Sequence, residues 1–468
     1  MTRSPRWTLA IVSIALFMVT LDNLVVTTAL PSIRSDLGAS IEDLEWTVNA
    51  YTLAFTVFLL TGAALGDRLG RRRMFIAGIG IFTVASAAAA VAPDSTTLIA
   101  ARGLQGLGAA IVAPLTLTLL SEAFPSERRG AAIGLWSGIS GLGVAIGPLV
   151  GGAVVDGISW QWIFWLNVPV GLVVIPLAVR RLAESHGPQR ALDLRGLAFG
   201  SSGLLAVTYA LIHGNSWGWG SASTLGLLAA GAAVLVAFVA HESRTPEPML
   251  PMTFFRTRGF AATNTVTLSM TFGTFGSIFL LAQFFQTVQG YSAFEAGLRT
   301  LPWTAMPMLV APIAGLLSDR IGSRPLMVTG LGLQAVAMAW LASIMDAGTA
   351  YSSFVVPFIL AGTGMALVFA PAANAVLQSV RPEQAGQASG ATNTIRELGG
   401  VMGIAVLAAV FSSSGGYESR AAFVEGLIPA VTVGAGVLAF GALAATLVPG
   451  VARERRTTLD TATAAAPA

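Results

Sequence analysis

Fourteen long apolar segments, of 18 to 27 residues each, constrain this chain more than any other feature. Their apolar residues are continuous rather than alternating, so each segment is predicted to be a helix long enough to span a bilayer. Inside a bilayer, only helices or closed barrels satisfy every backbone polar group. The predicted spans are residues 7–30, 47–66, 74–92, 97–120, 130–154, 162–180, 196–213, 223–241, 259–285, 297–317, 325–345, 353–376, 389–411 and 425–447.

Composition agrees with an all-helical membrane protein. Of the 468 residues, 54% are hydrophobic and 10% are charged, whereas soluble domains carry roughly 25% charged residues. The chain has no cysteine, which excludes disulfides and thiolate metal sites. Lysine is also absent, which excludes a Walker-type phosphate loop. We therefore expect no ATP site on this chain, no cofactor, no metal and no catalytic activity.

Arginine placement predicts the side that each loop faces. With a cytoplasmic N-terminus and alternating spans, 21 of the 26 arginines fall in inner segments and three, Arg34, Arg299 and Arg420, in outer segments. The other two, Arg102 and Arg396, fall inside spans. This bias obeys the positive-inside rule, so both termini are predicted to be cytoplasmic. The isoelectric point of about 9.8 follows from this arrangement, and we expect no nucleic-acid partner.

One loop pattern, D-R-x-G-x-R, occurs twice, after span 2 and after span 10, each time shortly after a glycine. Each aspartate would lie at an inner helix end, where it can accept bonds from arginines or a helix N-terminus. We predict that these loops act as gates; the alternative is that their arginines set topology only. The predicted gating residues are Gly62, Asp67, Arg68, Gly70 and Arg71 in the first copy and Gly315, Asp319, Arg320, Gly322 and Arg324 in the second.

The two copies lie eight spans apart, and a duplicated transporter fold places copies at matching positions in its halves. The simplest account is two halves of six spans separated by an extra pair, spans 7 and 8. The predicted division is residues 1–180 for the first six-helix bundle, 181–258 for the inserted pair with its flanking loops, 259–447 for the second bundle and 448–468 for a disordered cytoplasmic tail.

Further motifs follow one another along the chain. They are residues 21–31, 102–108, 143–152 and 160–171. Together with the two loops, they resemble the major facilitator superfamily, and in particular its fourteen-span drug:proton antiporter branch. The resemblance implies the major facilitator fold, and the glycine-proline motif of span 5 is associated within the superfamily with exporters. Two residues depart from the pattern: Gln161 stands where arginine is expected, and Glu397 where glutamine is expected.

Asp22 is a carboxylic acid inside an apolar span. It lies eight residues before the expected outer end of span 1 at Leu30, a depth of about 12 Å. A carboxylate at such a depth is costly, and low polarity favours its protonated form. Asp22 is therefore our candidate proton carrier; the alternative is a structural hydrogen-bond partner. The adjacent Asn23 could support either role.

Arg102 is predicted at a similar depth in span 4, about 8 Å below the outer surface. The geometry allows it to pair with Asp22, directly or through water. With Gln105 one turn below, Arg102 is predicted to tune proton exchange; the alternative is an arginine that caps backbone carbonyls.

Arg396 and Glu397 lie about eight residues into span 13. They form a second charge site or lie at the cytoplasmic interface. Because adjacent positions do not face each other on a helix, we expect them to need separate partners.

Small residues in span 5 and phenylalanines in span 9 complete the predicted site. Small residues at every fourth position let helices approach closely, and proline can bend a helix. The predicted hinge or packing residues in span 5 are Gly143, Gly147, Pro148, Gly151 and Gly152. Phe275 and Phe279 in span 9 are candidates for lining an apolar substrate cavity, with ordinary packing as the alternative.

These features predict proton-coupled export of small hydrophobic or amphipathic organic compounds, such as drugs or antibiotics, across the cell membrane by alternating access. The expected partners are the small-molecule substrate, protons and the lipid bilayer, and the protein is expected to be a monomer. One alternative is a specific exporter of a single endogenous metabolite. Another is a non-transporting membrane receptor that kept the fold.

Overall fold

A computed structural model describes residues 4–39, 41–187 and 193–450, and its regular elements in these ranges are helical. From residue 451 onward, the predicted tail lies outside the described residues. The α-helices are α1 Pro5–Leu37, α2 Ile41–Leu69, α3 Arg71–Ala90, α4 Ser95–Ala123, α5 Ser126–Gly157, α6 Trp162–Trp165, α7 Asn167–Arg181, α8 Leu194–Trp217, α9 Ala222–Glu242, α10 Arg258–Gln283, α11 Ala293–Thr304, α12 Met306–Ile321, α13 Ser323–Ile344, α14 Ser352–Gln378, α15 Ala385–Ser414 and α16 Arg420–Ala445. A π turn, Phe284–Val288, extends α10, and two short 3-10 turns occupy Met252–Arg256 and Pro382–Gln384.

Every predicted span has a helical counterpart. By length and composition, 13 helical segments of the described chain could cross a membrane. The predicted fifth span is not among these, but it forms α5, a continuous helix of 32 residues. The protein is therefore a multi-pass helical membrane protein, and fourteen crossings are consistent with its structure.

Two spans are interrupted, and one helix is longer than predicted. Span 10 is divided at Ala305, which lies between Pro302 and Pro307, and proline removes a backbone donor from a helix. Span 6 is divided at Leu166 into α6 and α7. By contrast, α1 continues past its expected end at Leu30 to Leu37. Asp22 therefore lies fifteen residues from that end, about 22 Å along the helix axis rather than 12 Å.

The long helices pack as two groups with a pair between them. Helices α1 to α7 pack mainly with one another around a buried core that includes Phe75 and Phe82. Helices α10 to α16 pack around a second core that includes Phe284 and Phe354. The groups meet where α5 contacts α12 and α14, and where α2 contacts α15.

Helices α8 and α9 pack against each other, and α8 also contacts α2 and α15. The Thr61 and Ser201 hydroxyls, on α2 and α8, lie 3.2 Å apart. On the α15 side of the pair, Gln387 donates a hydrogen bond over 3.0 Å to the carbonyl of Pro248, which lies in the loop after α9. The extra pair therefore covers the seam between α2 and α15, where the two groups meet.

Most arginines of the described residues lie at one end of the molecule, which we call the arginine-rich face. It carries the end of α2, the start of α5, the end of α12 and the start of α15. Both copies of the repeated loop lie at the arginine-rich face.

Candidate functional site

Asp22 lies within α1 with its side chain fully buried. Arg102 of α4 donates from Nη1 to Asp22 Oδ2 over 2.5 Å. Gln105, one turn further along α4, donates from Nε2 to Asp22 Oδ1 over 3.1 Å. The structure therefore brings these three residues into direct contact. Asn23 is half-buried and lies outside this network in the described structure.

Asn167 completes the ring of donors, although sequence analysis did not select it as a site residue. Its Nδ2 donates to Asp22 Oδ1 over 2.6 Å. Asn167 begins α7, so the break after α6 positions it against α1. Ser86 of α3 accepts from Gln105 Nε2 over 2.7 Å. A signal was available in the sequence, because a lone amide in an apolar span carries a burial cost, as Asp22 does.

Arg102 is fixed on several sides. Its Nε donates to the Thr47 carbonyl over 3.1 Å, and its Nη1 also donates to Gln105 Oε1 over 2.9 Å. The guanidinium carbon lies 4.4 Å from the centroid of the Tyr51 ring, within the range of a cation–π interaction. Arg102 therefore pairs with Asp22 and also binds a backbone carbonyl, and its part in proton exchange stays a prediction.

The prediction that Arg396 and Glu397 need separate partners is wrong. Arg396 Nε and Nη2 each lie 3.2 Å from Glu397 Oε1, because both side chains are long enough to fold toward each other. Their side chains are 18% and 24% exposed. Arg396 lies eleven residues into α15, about 17 Å along the helix axis from its start.

The first copy of the repeated loop forms a buried charge cluster at the arginine-rich face. Arg71 Nε donates to Asp67 Oδ1 over 2.8 Å, and Arg71 Nη1 donates to Glu122. Arg71 Nη2 reaches the second group of helices and donates to the Glu383 carbonyl over 3.0 Å. A Cβ at Gly386 would overlap the Asp67 carboxylate. Asp67 therefore packs directly against the first turn of α15.

The second copy makes the equivalent contact from the second group of helices to the first. Asp319 accepts hydrogen bonds from the amides of Gly130 and Ala131 over 3.1 and 3.0 Å. These amides belong to the fifth and sixth residues of α5, close to its N-terminal end. A Cβ at Gly315 would overlap the Gly130 carbonyl oxygen. Each repeat thus places its aspartate at the N-terminal end of a helix in the other group.

The remaining loop residues are placed as follows. Gly70 and Gly322, the same position in the two copies, have φ of 108° and 84°, a backbone region that favours glycine. A Cβ at Gly62 would lie 2.5 Å from the Ala110 carbonyl oxygen, so this glycine lets α2 approach α4. Arg68, Arg320 and Arg324 are exposed.

Glycines let α5 pack closely against α1. A Cβ at Gly151 would overlap Thr28 Oγ1, and one at Gly147 would lie 2.8 Å from Leu24 Cβ. At Gly143 and Gly152 the nearest atoms, in Phe17 and Phe294, are each 3.3 Å away. The Pro148 side chain lies outside the described residues, and α5 is continuous through this position. The predicted seam therefore exists as a packing feature.

The two phenylalanines differ in exposure. Phe279 is 42% exposed, whereas Phe275 is half-buried beside Gly400 of α15. A central substrate cavity stays a prediction, because the two described cavities, of about 340 and 350 Å³, are lined by other residues.

The fold and the site define a class of protein. It is a multi-pass helical membrane protein with two related bundles and a buried ion pair in the first bundle. A loop that occurs once in each bundle contacts the other bundle. A family model described as Major Facilitator Superfamily matches residues 12–404. The chain belongs to the major facilitator superfamily, and its fold is the one that the sequence predicts.

Similar proteins agree with this assignment. The tetracenomycin C resistance and export protein of Streptomyces glaucescens is 34% identical over 432 residues, which are 92% of this chain and 80% of that protein. The multidrug resistance protein Stp of Mycobacterium tuberculosis is 36% identical over 415 residues, which are 88% of this chain and 77% of that protein. The structure of the human organic anion transporter MFSD10 matches with a TM-score of 0.69 at 15% identity, covering 94% of this chain and 99% of that one. The last likeness concerns the fold alone.

Proposed function

We propose that the protein exports small hydrophobic or amphipathic organic compounds from the cytoplasm in exchange for protons, by alternating access. The buried Asp22, held by Arg102, Gln105 and Asn167, is the observation that carries this proposal. Two similar proteins are described as resistance or export proteins, which supports the substrate class. The arginine-rich loops support a cytoplasmic location of that face and of both termini in the cell membrane.

Asp22 is the proposed proton carrier. Its charged form accepts three donated hydrogen bonds, one of them from a guanidinium, and such charge-assisted bonds are strong. Protonation would remove the ionic contact with Arg102, which keeps its contacts with the Thr47 carbonyl and the Tyr51 ring. Proton binding therefore weakens the link between α1 and α4, and proton release restores it.

The two repeated loops are the proposed gates. Opening the arginine-rich face must break the bond from Arg71 to the Glu383 carbonyl and those from the Gly130 and Ala131 amides to Asp319. Such bonds contribute about 1 kcal/mol each, or about 1.5–3 kcal/mol where a group is charged. A membrane potential supplies about 2.3 kcal/mol per charge per 100 mV, which offsets about one such bond.

We place the two moving bundles in residues 1–180 and 259–447, with residues 181–258 as the inserted pair. The substrate would bind near the membrane midplane between the bundles, as in other duplicated transporters. Phe275 and Phe279 of α10 are proposed to contribute apolar contacts there.

The decisive experiment measures uptake into inverted membrane vesicles under an imposed pH gradient. A drug-susceptibility panel in a host that expresses the protein first identifies exported compounds; resistance to several unrelated compounds is expected, whereas resistance to one would favour a specific metabolite exporter. We expect Asp22→Asn to abolish gradient-driven uptake, because the amide cannot carry the proton.

Asp36→Asn is the matched control. It makes the same chemical change at an exposed position of the same helix, and the amide oxygen can still accept from Trp160 Nε1. This variant should keep uptake near the wild-type rate. Unchanged gradient-driven uptake in Asp22→Asn would refute the proton assignment.

A further inference from the structure

An apolar groove of about 340 Å³ lies between α1 and α7 on the lipid-facing surface of the first bundle. Its floor is formed by Ile11 and Val174, which are both buried. Its walls are formed by Ile14 and Val173, which are 43% and 58% exposed. The lining residues of α1 extend from Trp7 to Ile14, about 10 Å along the helix axis. The groove therefore follows about two thirds of one leaflet of the hydrocarbon core, which is about 15 Å thick.

Arginines lie at the end of the groove that belongs to the arginine-rich face. On α7, Arg181 follows the lining residue Leu177 by about one helical turn. On α1, Arg6 precedes the lining residue Ala10 by the same interval. Residues four apart share a helix face, so both arginines lie on the faces that form the groove. The Arg181 guanidinium carbon is 5.0 Å from the centroid of the Trp7 ring, which lines this end.

The positive charge at this end is not compensated by carboxylates. Both Arg6 and Arg181 are exposed, and the ion pairs of the described residues include neither of them. The last turn of α7 also carries Arg180. Helix α1 begins here at Pro5 with no acidic residue in its first turn, and a helix N-terminus carries partial positive charge. The groove is thus apolar along its length and cationic at the membrane surface.

We propose that this groove binds an anionic phospholipid from the leaflet at the arginine-rich face, with one acyl chain in the groove and the headgroup phosphate at Arg6 and Arg181. An occupant that matches both parts has an apolar tail and an anionic head at the membrane surface, and basic clusters beside spanning helices attract such lipids. Arginine suits a phosphate because it can donate two parallel hydrogen bonds to it. The lipid connects α1 to α7, the same two helices that the Asp22–Asn167 hydrogen bond joins.

The test measures quenching of Trp7 fluorescence by dibrominated phospholipids, since Trp7 lines the groove beside Arg181. The full-length protein is reconstituted in phosphatidylcholine vesicles, in which an increasing share of the lipid is replaced by dibrominated phosphatidylglycerol or by dibrominated phosphatidylcholine. The emission that Trp7→Phe removes is the signal from the groove. We expect half-maximal quenching at a several-fold lower share of phosphatidylglycerol than of phosphatidylcholine. Transport does not enter this measurement, so its outcome is independent of the export function.

Arg6→Gln combined with Arg181→Gln should remove the preference for phosphatidylglycerol, because the headgroup loses its counter-charges. The matched control is Arg244→Gln combined with Arg256→Gln, which should keep the preference. It removes the same charge from two exposed arginines in the segment between α9 and α10, which does not line the groove. The two lipids are compared within each variant, so general damage to the fold does not imitate a lost preference.

Ala10→Phe places a ring in the groove and should lower quenching by both lipids. Equal quenching of wild-type Trp7 by the two lipids overturns the proposal, as does a preference that survives the loss of Arg6 and Arg181. Unchanged quenching in Ala10→Phe overturns the position of the acyl chain. Relief of quenching by an exported compound would assign the groove to the substrate, which also overturns the proposal.

Discussion

At the scale of single residues, the cost of burying charge explains the arrangement around Asp22. An isolated carboxylate in an apolar interior is costly, whereas one that accepts several hydrogen bonds is tolerated. Asp22 receives bonds from Arg102, Gln105 and Asn167, which belong to α4 and α7. The same residues hold three helices together, so the protonation state of one side chain affects their packing.

Asn167 provides a residue-scale prediction. Asn167→Ala removes one hydrogen bond to the Asp22 carboxylate, a loss of about 1.5–3 kcal/mol because the acceptor is charged. We expect gradient-driven uptake to fall about fivefold or more, because Asp22 keeps only the donors on α4. The measurement is the initial rate of uptake into inverted vesicles.

Asn23→Ala is the control for this variant, because Asn23 is adjacent to Asp22 but outside the network in the described structure. Its rate should stay close to that of the wild type. If both variants, or neither, slow uptake, Asn167 has no special part in proton exchange.

At the scale of helices, the glycines of α5 determine how closely it packs against α1. The three positions on this seam differ in free space: a Cβ overlaps a neighbour at Gly151, is 2.8 Å from one at Gly147 and is 3.3 Å from one at Gly143. A methyl group is therefore least tolerated at Gly151 and best tolerated at Gly143. The order follows from the backbone separation, which the spacing of the glycines cannot give.

The seam gives a graded prediction. Alanine at Gly151, Gly147 and Gly143 should lower the thermal stability of the detergent-purified protein, most at Gly151 and least at Gly143. Overpacking of this kind typically costs about 1–3 kcal/mol. The measurement is the midpoint of thermal unfolding for each variant.

Gly157→Ala is the control on the same helix, because a Cβ there meets nothing within 4 Å. It should leave the midpoint unchanged or raise it, since alanine favours helix over glycine. Equal losses at all four positions would mean that the seam does not limit packing.

At the scale of the whole molecule, the bundles are held together at the arginine-rich face. Arg71 and Asp67 reach the start of α15, while Asp319 reaches the start of α5. The inserted pair adds contacts beside the same seam, through Ser201 and Pro248. Alternating access requires this face to separate, so a covalent link across it must stop transport.

The natural absence of cysteine makes that link easy to test. Ala63→Cys combined with Gly390→Cys places two thiols across the α2–α15 seam, where a Cβ at Gly390 would lie 2.6 Å from Ala63 Cβ. A disulfide has a Cβ separation of about 3.5–4.5 Å, so a small backbone shift suffices. We expect oxidation to arrest uptake and a reductant to restore it.

Each single-cysteine variant, oxidised in the same way, serves as the control and should remain active. Cross-linking is measured by the shift in electrophoretic mobility, and transport by vesicle uptake. A fully cross-linked protein that transports at the wild-type rate would contradict rocking of the two bundles.

The sequence by itself determined the class of the protein. Continuous apolar segments require helices in lipid, and the repeated D-R-x-G-x-R loop indicates two related halves around an extra pair. It also indicated Asp22 and Arg102, because a charge in an apolar span stands out in a linear pattern. Asn167 was less evident, since an amide costs less to bury and gives a weaker signal.

Tertiary structure decided which groups meet. Whether Asp22 touches Arg102 depends on helix rotation and depth, and the extension of α1 to Leu37 changed that depth by seven residues. Helical periodicity argued against the Arg396–Glu397 contact, yet long side chains folded together to make it. Composition limits what can lie in lipid, because burial free energy depends on residue type. Contacts between distant residues depend on the relative positions of packed helices, which no local pattern encodes.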